Sequence, residues 1–448
     1  MGRGRAEAAV RAPIHASHPS RQMTDVLIAD DTIYEELYDV RKEAEHAGNL
    51  VEKDMNPAMA ELRERGPVQK GFLRELLGLP YHQRHVFAAG REGYTSLSWD
   101  ACNTAFRDHE RFSSKVMHTP SESGEQRLGI LEMDEPQHRT YRSTVQPMFL
   151  RPKTVTWWRE RWINEIVDAL IAKLKTQDRA ELNLQLCARV PVHTITRAIG
   201  MTGDDALVFR TALVRTSAHG RISMDEARAA NAIVDRMLVD LIARRRADPG
   251  DDVISGLLAA ELELPEGTRP LTEREIVIMT RLVMLAGGGT SWRQFGITLW
   301  ALLTNLDQLE AVKADRKLVD KAIEESVRWN PTDPVFSRLV AVDTELEGVP
   351  LPAGSVLEIC LGAANRDPSR WDRPDVYDLH RPLQSHMGFG MGAHQCLGMN
   401  VARSEIHVGI NALLDAFPDM RLDPDQPAPF LTGGLEQRGM SAVPVLLK

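Results

Sequence analysis

Residues 388–403 read GFGMGAHQCLGMNVAR, and this stretch decides the fold class. Gly388, Gly390 and Gly392 precede a single cysteine, Cys396, and Gly398 follows it. Glycine has no Cβ and accepts positive φ, so a backbone rich in it turns tightly and can lie against a large flat group. Apolar residues and good helix formers continue to Leu414, predicting a helix whose unpaired N–H groups and positive dipole end face the Cys396 sulfur. Such surroundings lower a thiol pKa and favour thiolate, the form that binds metals. For Gly-Cys-Gly alone, a turn beside a structural cysteine is the simpler reading. The wider spacing, with His394 two residues before Cys396 and Phe389 seven before, points away from it.

Phe389, Gly390, Gly392, His394, Cys396 and Gly398 fit the pattern Phe-Gly-x-Gly-x-His-x-Cys-x-Gly. The segment resembles the haem-binding loop of the cytochrome P450 family. The resemblance implies that Cys396 is the axial ligand of a haem iron (haem b, iron protoporphyrin IX) and that His394 partners a haem propionate. Phe389, Gly390 and Gly398 would complete the cofactor-binding loop. It also implies the family fold, mainly α with a small β-rich region, as one haem-binding domain over residues 23–448. Residues 1–22 hold one acid, Glu7, and no apolar run, so they are expected to be a disordered leader or an upstream start before Met23.

The composition agrees. The chain has 448 residues, 43% of them apolar, enough for a large core. Acidic residues number 63 against 54 basic ones, a net charge of −9, which argues against nucleic acid as the main partner. Cys102, Cys187, Cys360 and Cys396 lie far apart with no C-x-x-C pair, suiting a reducing compartment and one special cysteine better than a disulfide framework or zinc site. No apolar run reaches the roughly 18 residues needed to cross a membrane, so no membrane anchor is expected. By resemblance to soluble bacterial members, the expectation is a cytoplasmic monomer.

Outward from the cysteine loop, residues 322–331 read AIEESVRWNP, placing Glu325 and Arg328 on one helical face. Alone, such a pair is worth only a few tenths of a kcal/mol (about 0.3–0.5). The segment is similar to the family's Glu-x-x-Arg helix, which implies a buried structural pair that locks the thiolate side. Arg338 matches a position that donates to a propionate. Val335 and Phe336 fall where a strand borders the substrate. Residues 339–359 alternate like strands, with turns at Glu347-Gly348 and Pro352-Ala353-Gly354, and Gly433-Gly434 suggests a hairpin.

Residues 272–306 form the longest helical pattern, opened by a Thr272/Glu275 capping box. Its middle reads LAGGGTSW (residues 285–292). Three consecutive glycines each cost about 1 kcal/mol in a helix relative to alanine, so they imply a kink, close helix packing, or bare backbone facing a ligand. The segment resembles the family's oxygen-groove motif, in which Thr290 helps deliver protons to bound oxygen. The motif's acid is Gly289 here. Ser291, ordered water, Arg293 or Gln294 are the candidate substitutes, although Arg293 and Gln294 may equally face solvent.

Nearer the N-terminus, 133–150 begins Asp134-Glu135-Pro136, a good helix start, and places His138 and Arg142 at i, i+4. A solvated polar face is one reading. Resemblance to the family's His-x-x-x-Arg helix implies that both meet a propionate, for which the Arg fork is suited. Further helices are expected over 33–65, 99–108, 153–177, 187–201, 204–219 and 224–246, with two short strands in 85–98 around Gly90. The tryptophans Trp157, Trp158 and Trp162 read as core packing. The connection 111–132 would roof the substrate pocket, giving Met117, Leu285, Ala286, Gly289, Val335 and Phe336 as candidate lining.

The function implied is insertion of one oxygen atom from O2 into a small, apolar organic substrate. Electrons would come from NAD(P)H indirectly, through a ferredoxin and its reductase or a flavodoxin-type donor, with Arg403 a candidate docking residue unless it pairs within its own helix. Two other readings stay open: an H2O2-dependent peroxygenase, favoured by the missing acid, and a non-catalytic haem-thiolate ligand-binding protein.

Overall fold

The structure is a computed structural model that describes residues 34–35, 38–79, 90–117, 129–201, 205–206, 208–209, 211–212 and 224–448. The expected leader at 1–22, residues 85–89 of the expected strand pair, the centre of the 111–132 connection, the side chain of Met117 and much of the expected 204–219 helix lie outside those residues.

The charged pattern at 33–65 resolves into two helices. Asp39 caps the first, α1 (Val40–His46), by accepting the Lys42 N–H at 2.9 Å. Gly48 at φ 64° ends it, and Pro57 stands in the first turn of α2 (Asn56–Arg65). Next come β1 (Val68–Lys70), β2 (Gly93–Ser96), α3 (Trp99–Arg107) and β3 (Phe112–Ser113). Ser98 accepts the Ala101 N–H at 3.2 Å, which fixes the start of α3 where the sequence expects it. The segment after Pro136 forms α4 (Gln137–Val145).

The predicted helix at 153–177 is present but not uniformly α: Thr154–Ile163 has π geometry before α5 (Asn164–Leu174). Trp157, Trp158 and Trp162 are buried there with ring centroids 4.7–5.6 Å apart, so they are core, as expected. A π turn at Asn183–Cys187 takes the place of the first residues expected in α6 (Arg189–Ala198). Met224–Ala247 is α7, and its terminal Arg245 and Arg246 pair with Asp252 and Glu273.

The capping box opens α8 (Glu273–Thr304): the Glu275 N–H donates to Thr272 Oγ1 at 3.3 Å, and the Thr272 N–H donates to Glu275 Oε2 at 2.7 Å. This helix runs unbroken through its three glycines. After α9 (Leu318–Trp329), β5 (Phe336–Val340) and β6 (Val356–Ile359) complete a sheet of order β1-β2-β6-β5-β3. Its β2–β6 pair is parallel, with Gly93 opposite Val356, so strands from distant parts of the chain share one sheet. The cysteine loop leads into α10 (Met399–Ala416), and the expected hairpin is β7 (Leu431–Gly433) with β8 (Arg438–Met440).

Burial of apolar faces draws α10 close to α8. A Cβ added to Gly409 would stand 2.3 Å from Phe295 Cζ, so that glycine is a packing requirement. Trp158, Trp292 and Phe295 are among the largest fully buried side chains of this core. Among the described residues, no helix is long and apolar enough to cross a membrane.

Candidate functional site

The loop before α10 is fixed by its own backbone and by two neighbours. The Cys396 N–H donates to the Phe389 carbonyl at 2.8 Å, and the Gly390 N–H to the Met387 carbonyl at 2.8 Å. Gly390 and Gly392 take φ of 66° and 71°, and a Cβ on Gly392 would lie 2.5 Å from the Phe106 carbonyl oxygen of α3. A Cβ on Gly388 would lie 2.3 Å from Val327 Cγ1 of α9. A Cβ on Gly398 meets nothing within 4 Å, so space is open on that side of the cysteine.

Cys396 is the one cysteine with exposed surface; Cys102, Cys187 and Cys360 are buried, and all four are free. Its thiol pKa moves opposite to the expected direction. Crowding by protein atoms raises it, and this outweighs the lowering by the Gly398 N–H, Arg142 and Arg403, with Asp333 adding to the rise. The helix start contributes as expected, but desolvation of the metal-free thiol is larger.

Beside the loop stands a wall of cations and neutral imidazoles. The rings of His138 and His394 lie 4.0 Å apart. Burial lowers the pKa of both, His394 to about 3, so both are neutral at pH 7. His138 Nδ1 is 3.1 Å from Glu135 Oε1, while its buried Nε2 has no hydrogen-bond partner. Arg338 is buried, its pKa pushed down to about 10 by desolvation, and its guanidinium donates to the neighbouring Ser337 carbonyl at 3.0 Å. A buried guanidinium without a bonded anion is costly. Carboxylate groups of a cofactor therefore suit this wall. Arg142 is differently engaged: its three guanidinium nitrogens donate to Gln146 Oε1 (3.1 Å) and to the loop carbonyls of Ala393 (3.1 Å) and Gln395 (2.7 Å).

Glu325 and Arg328 form a buried two-pronged pair at 2.7 and 2.8 Å. Arg328 also donates to the carbonyls of Asn365, Pro374 and Val376, and Glu325 accepts from the Asp378 N–H and Arg381. Asn365 in turn accepts the Met387 N–H at 2.7 Å, so the pair is tied to the start of the cysteine loop. Arg403 does not pair within its own helix. Its guanidinium holds Glu324 of α9 through two 2.7 Å bonds and lies 4.6 Å from the Phe389 ring.

On α8, Thr290 Oγ1 donates to the Ala286 carbonyl at 3.0 Å. Cβ atoms on Gly287 and Gly289 would meet only ordinary contacts, Ile195 at 3.7 Å and Arg293 Nη1 at 3.8 Å. Close helix packing therefore does not require glycine at these two positions, unlike Gly409. Ala286 is exposed and Leu285 half-buried on the turn before Thr290, whereas Val335 packs in a core cluster with Met59, Leu73 and Leu435 and Phe336 is exposed at the start of β5.

Arg293 and Gln294, left open between solvent and function, are both buried. Gln294 ties α8 to Ser326 and the Thr332 N–H, a structural role. Arg293 bonds the Gly289 carbonyl and, from α1, Glu43. Sequence reasoning passed over Glu405. It is buried in α10, its carboxyl bonded to Ser291 and Thr194, and desolvation raises its pKa to about 8. Its neighbours Ser291 and Thr194 work against that rise, and Thr194 is also 2.7 Å from the Val190 carbonyl. The signal available was an acid within the apolar run after Cys396.

Comparison with known proteins agrees with this architecture. A family model described as Cytochrome P450 matches residues 217–435. The chain is 34% identical over 345 residues to cytochrome P450 105C1 of a Streptomyces species, covering 76% of this chain and 85% of that one. It is 31% identical over 397 residues to nocardicin C N-oxygenase of Nocardia uniformis subsp. tsuyamanensis, covering 87% and 94%. The solved structure of the cytochrome P450 PksS of the Bacillus subtilis 168 bacillaene polyketide synthase superposes with a TM-score of 0.76 at 24% identity, over 88% of this chain and 98% of that one; this similarity concerns the fold.

Proposed function

The chain belongs to the cytochrome P450 family of bacterial monooxygenases, and on that premise we propose that Cys396 would hold the iron of a haem b through its thiolate. The chain then places one oxygen atom from O2 into a small, largely apolar substrate while the other leaves as water. The observation that carries this reading is the wall beside Cys396. Among the described residues, Arg338 is a buried guanidinium bonded only to its neighbour's carbonyl, and His138 Nε2 is buried without a partner. Haem propionates would satisfy both.

Bound haem supplies the activation of O2, and a thiolate ligand favours O–O cleavage where histidine ligation favours oxygen storage. The chain's own residues position and protect that chemistry. The Gly398 N–H, Arg142 and Arg403 favour negative sulfur. His138, His394 and Arg338 would hold the propionates, and Phe389, Gly390 and Gly398 would shape the loop around the ligand. Arg142 clasps the loop carbonyls, and Glu325 with Arg328 braces it from α9. Thr290 Oγ1 holds and passes on a proton at the groove, with Ser291 beside it linked to Glu405. Leu285, Ala286, Gly289 and Phe336, which keep accessible surface, would line the substrate side, whereas Val335 belongs to the core cluster with Met59 and Leu73. Electrons come from separate partners, a ferredoxin with an NAD(P)H-dependent reductase or a flavodoxin-type donor.

The absorption spectrum of the reduced CO complex tests the ligand. The wild type should show the shifted band of thiolate ligation and Cys396→Ala should not; an unshifted band, or one the substitution leaves alone, removes the assignment. Thr290→Ala should lower product formed per electron several-fold, because a positioned proton donor is lost. An unchanged yield takes Thr290 out of the relay. Gly289, where the family's acid is missing, favours one competing reading, peroxide-driven turnover. Turnover on H2O2 alone, equal to that with an electron-transfer system, would select it.

A further inference from the structure

The position that carries the acid in the oxygen-groove motif is Gly289, and the space around it shows what a side chain there would meet. An added Cβ would have one neighbour within 4 Å, Arg293 Nη1 at 3.8 Å. An acid at 289 would therefore reach toward the Arg293 guanidinium. That guanidinium is buried and lies 4.7 Å from the Trp292 ring. It donates from Nη1 to the Gly289 carbonyl and from Nη2 to the Glu43 carboxylate. Glu43 belongs to α1, 250 residues away in sequence, and keeps 40% of its side chain exposed. One guanidinium thus joins the backbone of the missing-acid position to a carboxylate in exchange with solvent.

We propose that Glu43, held by Arg293, supplies from another element the carboxylate that Gly289 lacks. The inference rests on the monooxygenase reading. A guanidinium is a donor with no acceptor site, so Arg293 positions the pair and does not itself relay. Glu43 takes a proton from bulk water. It passes that proton through water held against the Gly289 carbonyl to Thr290 Oγ1, which releases its own hydroxyl proton into the groove. The next proton from bulk restores the carboxyl. Only O–H bonds form and break, and bulk hydronium is the sole reactant. Glu405, the other acid near this turn, is 3% exposed and bonded to Ser291 and Thr194, so it has little surface through which to recharge.

The test moves the charge. Glu43→Gln should leave the thiolate CO band intact, raise electrons consumed per product by roughly tenfold, and enlarge the solvent deuterium isotope effect on turnover. Adding Gly289→Asp, which enters the space facing Arg293 Nη1, should return both readouts toward wild type. Glu45→Gln removes another exposed carboxylate of α1 and should change neither. A thermal-unfolding cycle of Glu43→Gln with Arg293→Gln reads the pairing without turnover and should show non-additivity. The proposal is overturned if Glu43→Gln couples like wild type, if Gly289→Asp fails to rescue a variant that keeps its CO band, or if the cycle is additive. A wild-type protein with no shifted CO band would overturn the haem-thiolate reading itself, and the relay with it, so the two failures are told apart.

Discussion

Around the cysteine loop, Arg328 spends its guanidinium on one carboxylate and three carbonyls, Arg142 on two loop carbonyls and Gln146, and Arg403 on Glu324. On α8, the turn 286–290 has bare backbone, a threonine bonded to its own helix and glycines whose missing side chains would touch little. The two regions face the same chemistry. One would keep a ligand fixed, so the arginines that brace it are paired and Gly388 and Gly392 are pinned by neighbours. The other must admit small reactants, so it gives up about 1 kcal/mol of helix propensity per glycine and borrows its charge from other elements.

The largest expected effect tests the rigid region. Arg328→Ala leaves Glu325 buried with Arg381 and one N–H, and should destabilise the fold by about 3–5 kcal/mol with loss of the CO band. Thermal unfolding that hardly moves would mean the loop is not braced from α9. Next, two glycines separate packing from function. Gly409→Ala drives a methyl into the Phe295 ring and should cost about 1–3 kcal/mol by denaturant unfolding. Gly289→Ala should instead be neutral or stabilise by up to about 1 kcal/mol. Equal destabilisation by both would erase the contrast.

The smallest effects are in pH dependence, and their signs oppose. Glu324 at the loop has its pKa lowered to about 2; burial would raise it, but His386 and Arg403 prevail. Its contribution is full above the ordinary value near 4.5 and is lost as pH falls toward 2. Glu405, raised to about 8 by burial, contributes fully below about 4.5 and loses that contribution as pH rises through 8. Urea midpoints against pH should thus lose their acid decline in Glu324→Gln and part of their alkaline decline in Glu405→Gln. The same slope in both variants would contradict the assignment.

What the sequence discloses divides along the same line. The cysteine loop, the Glu325/Arg328 pair and the Thr272/Glu275 cap are local patterns, each set by residues within a few positions, so spacing placed the cap and the family resemblance, carried by local motifs, placed the other two. The Cys396 thiol was expected to shift down because the N–H groups of the next helix are local; crowding by protein atoms from distant segments outweighs them and raises it. Glu43 and Arg293 meet across the whole chain, and no periodicity links them. Arg403 and Glu324 likewise pair between two helices. The break between α1 and α2 was within reach, since Gly48 and Pro57 both mark it.

The C-terminal hairpin carries a consequence for the order of assembly. Val51, just past α1, donates its N–H to the Gly433 carbonyl at 2.8 Å, and its own carbonyl accepts from Arg438 at 2.7 Å. During synthesis the segment bearing Glu43 emerges early, yet the partners that seat it are made last. Non-local closures of this kind form late. The contact that seats the segment after α1 therefore closes only once the hairpin, which follows the cysteine loop in the chain, has been made.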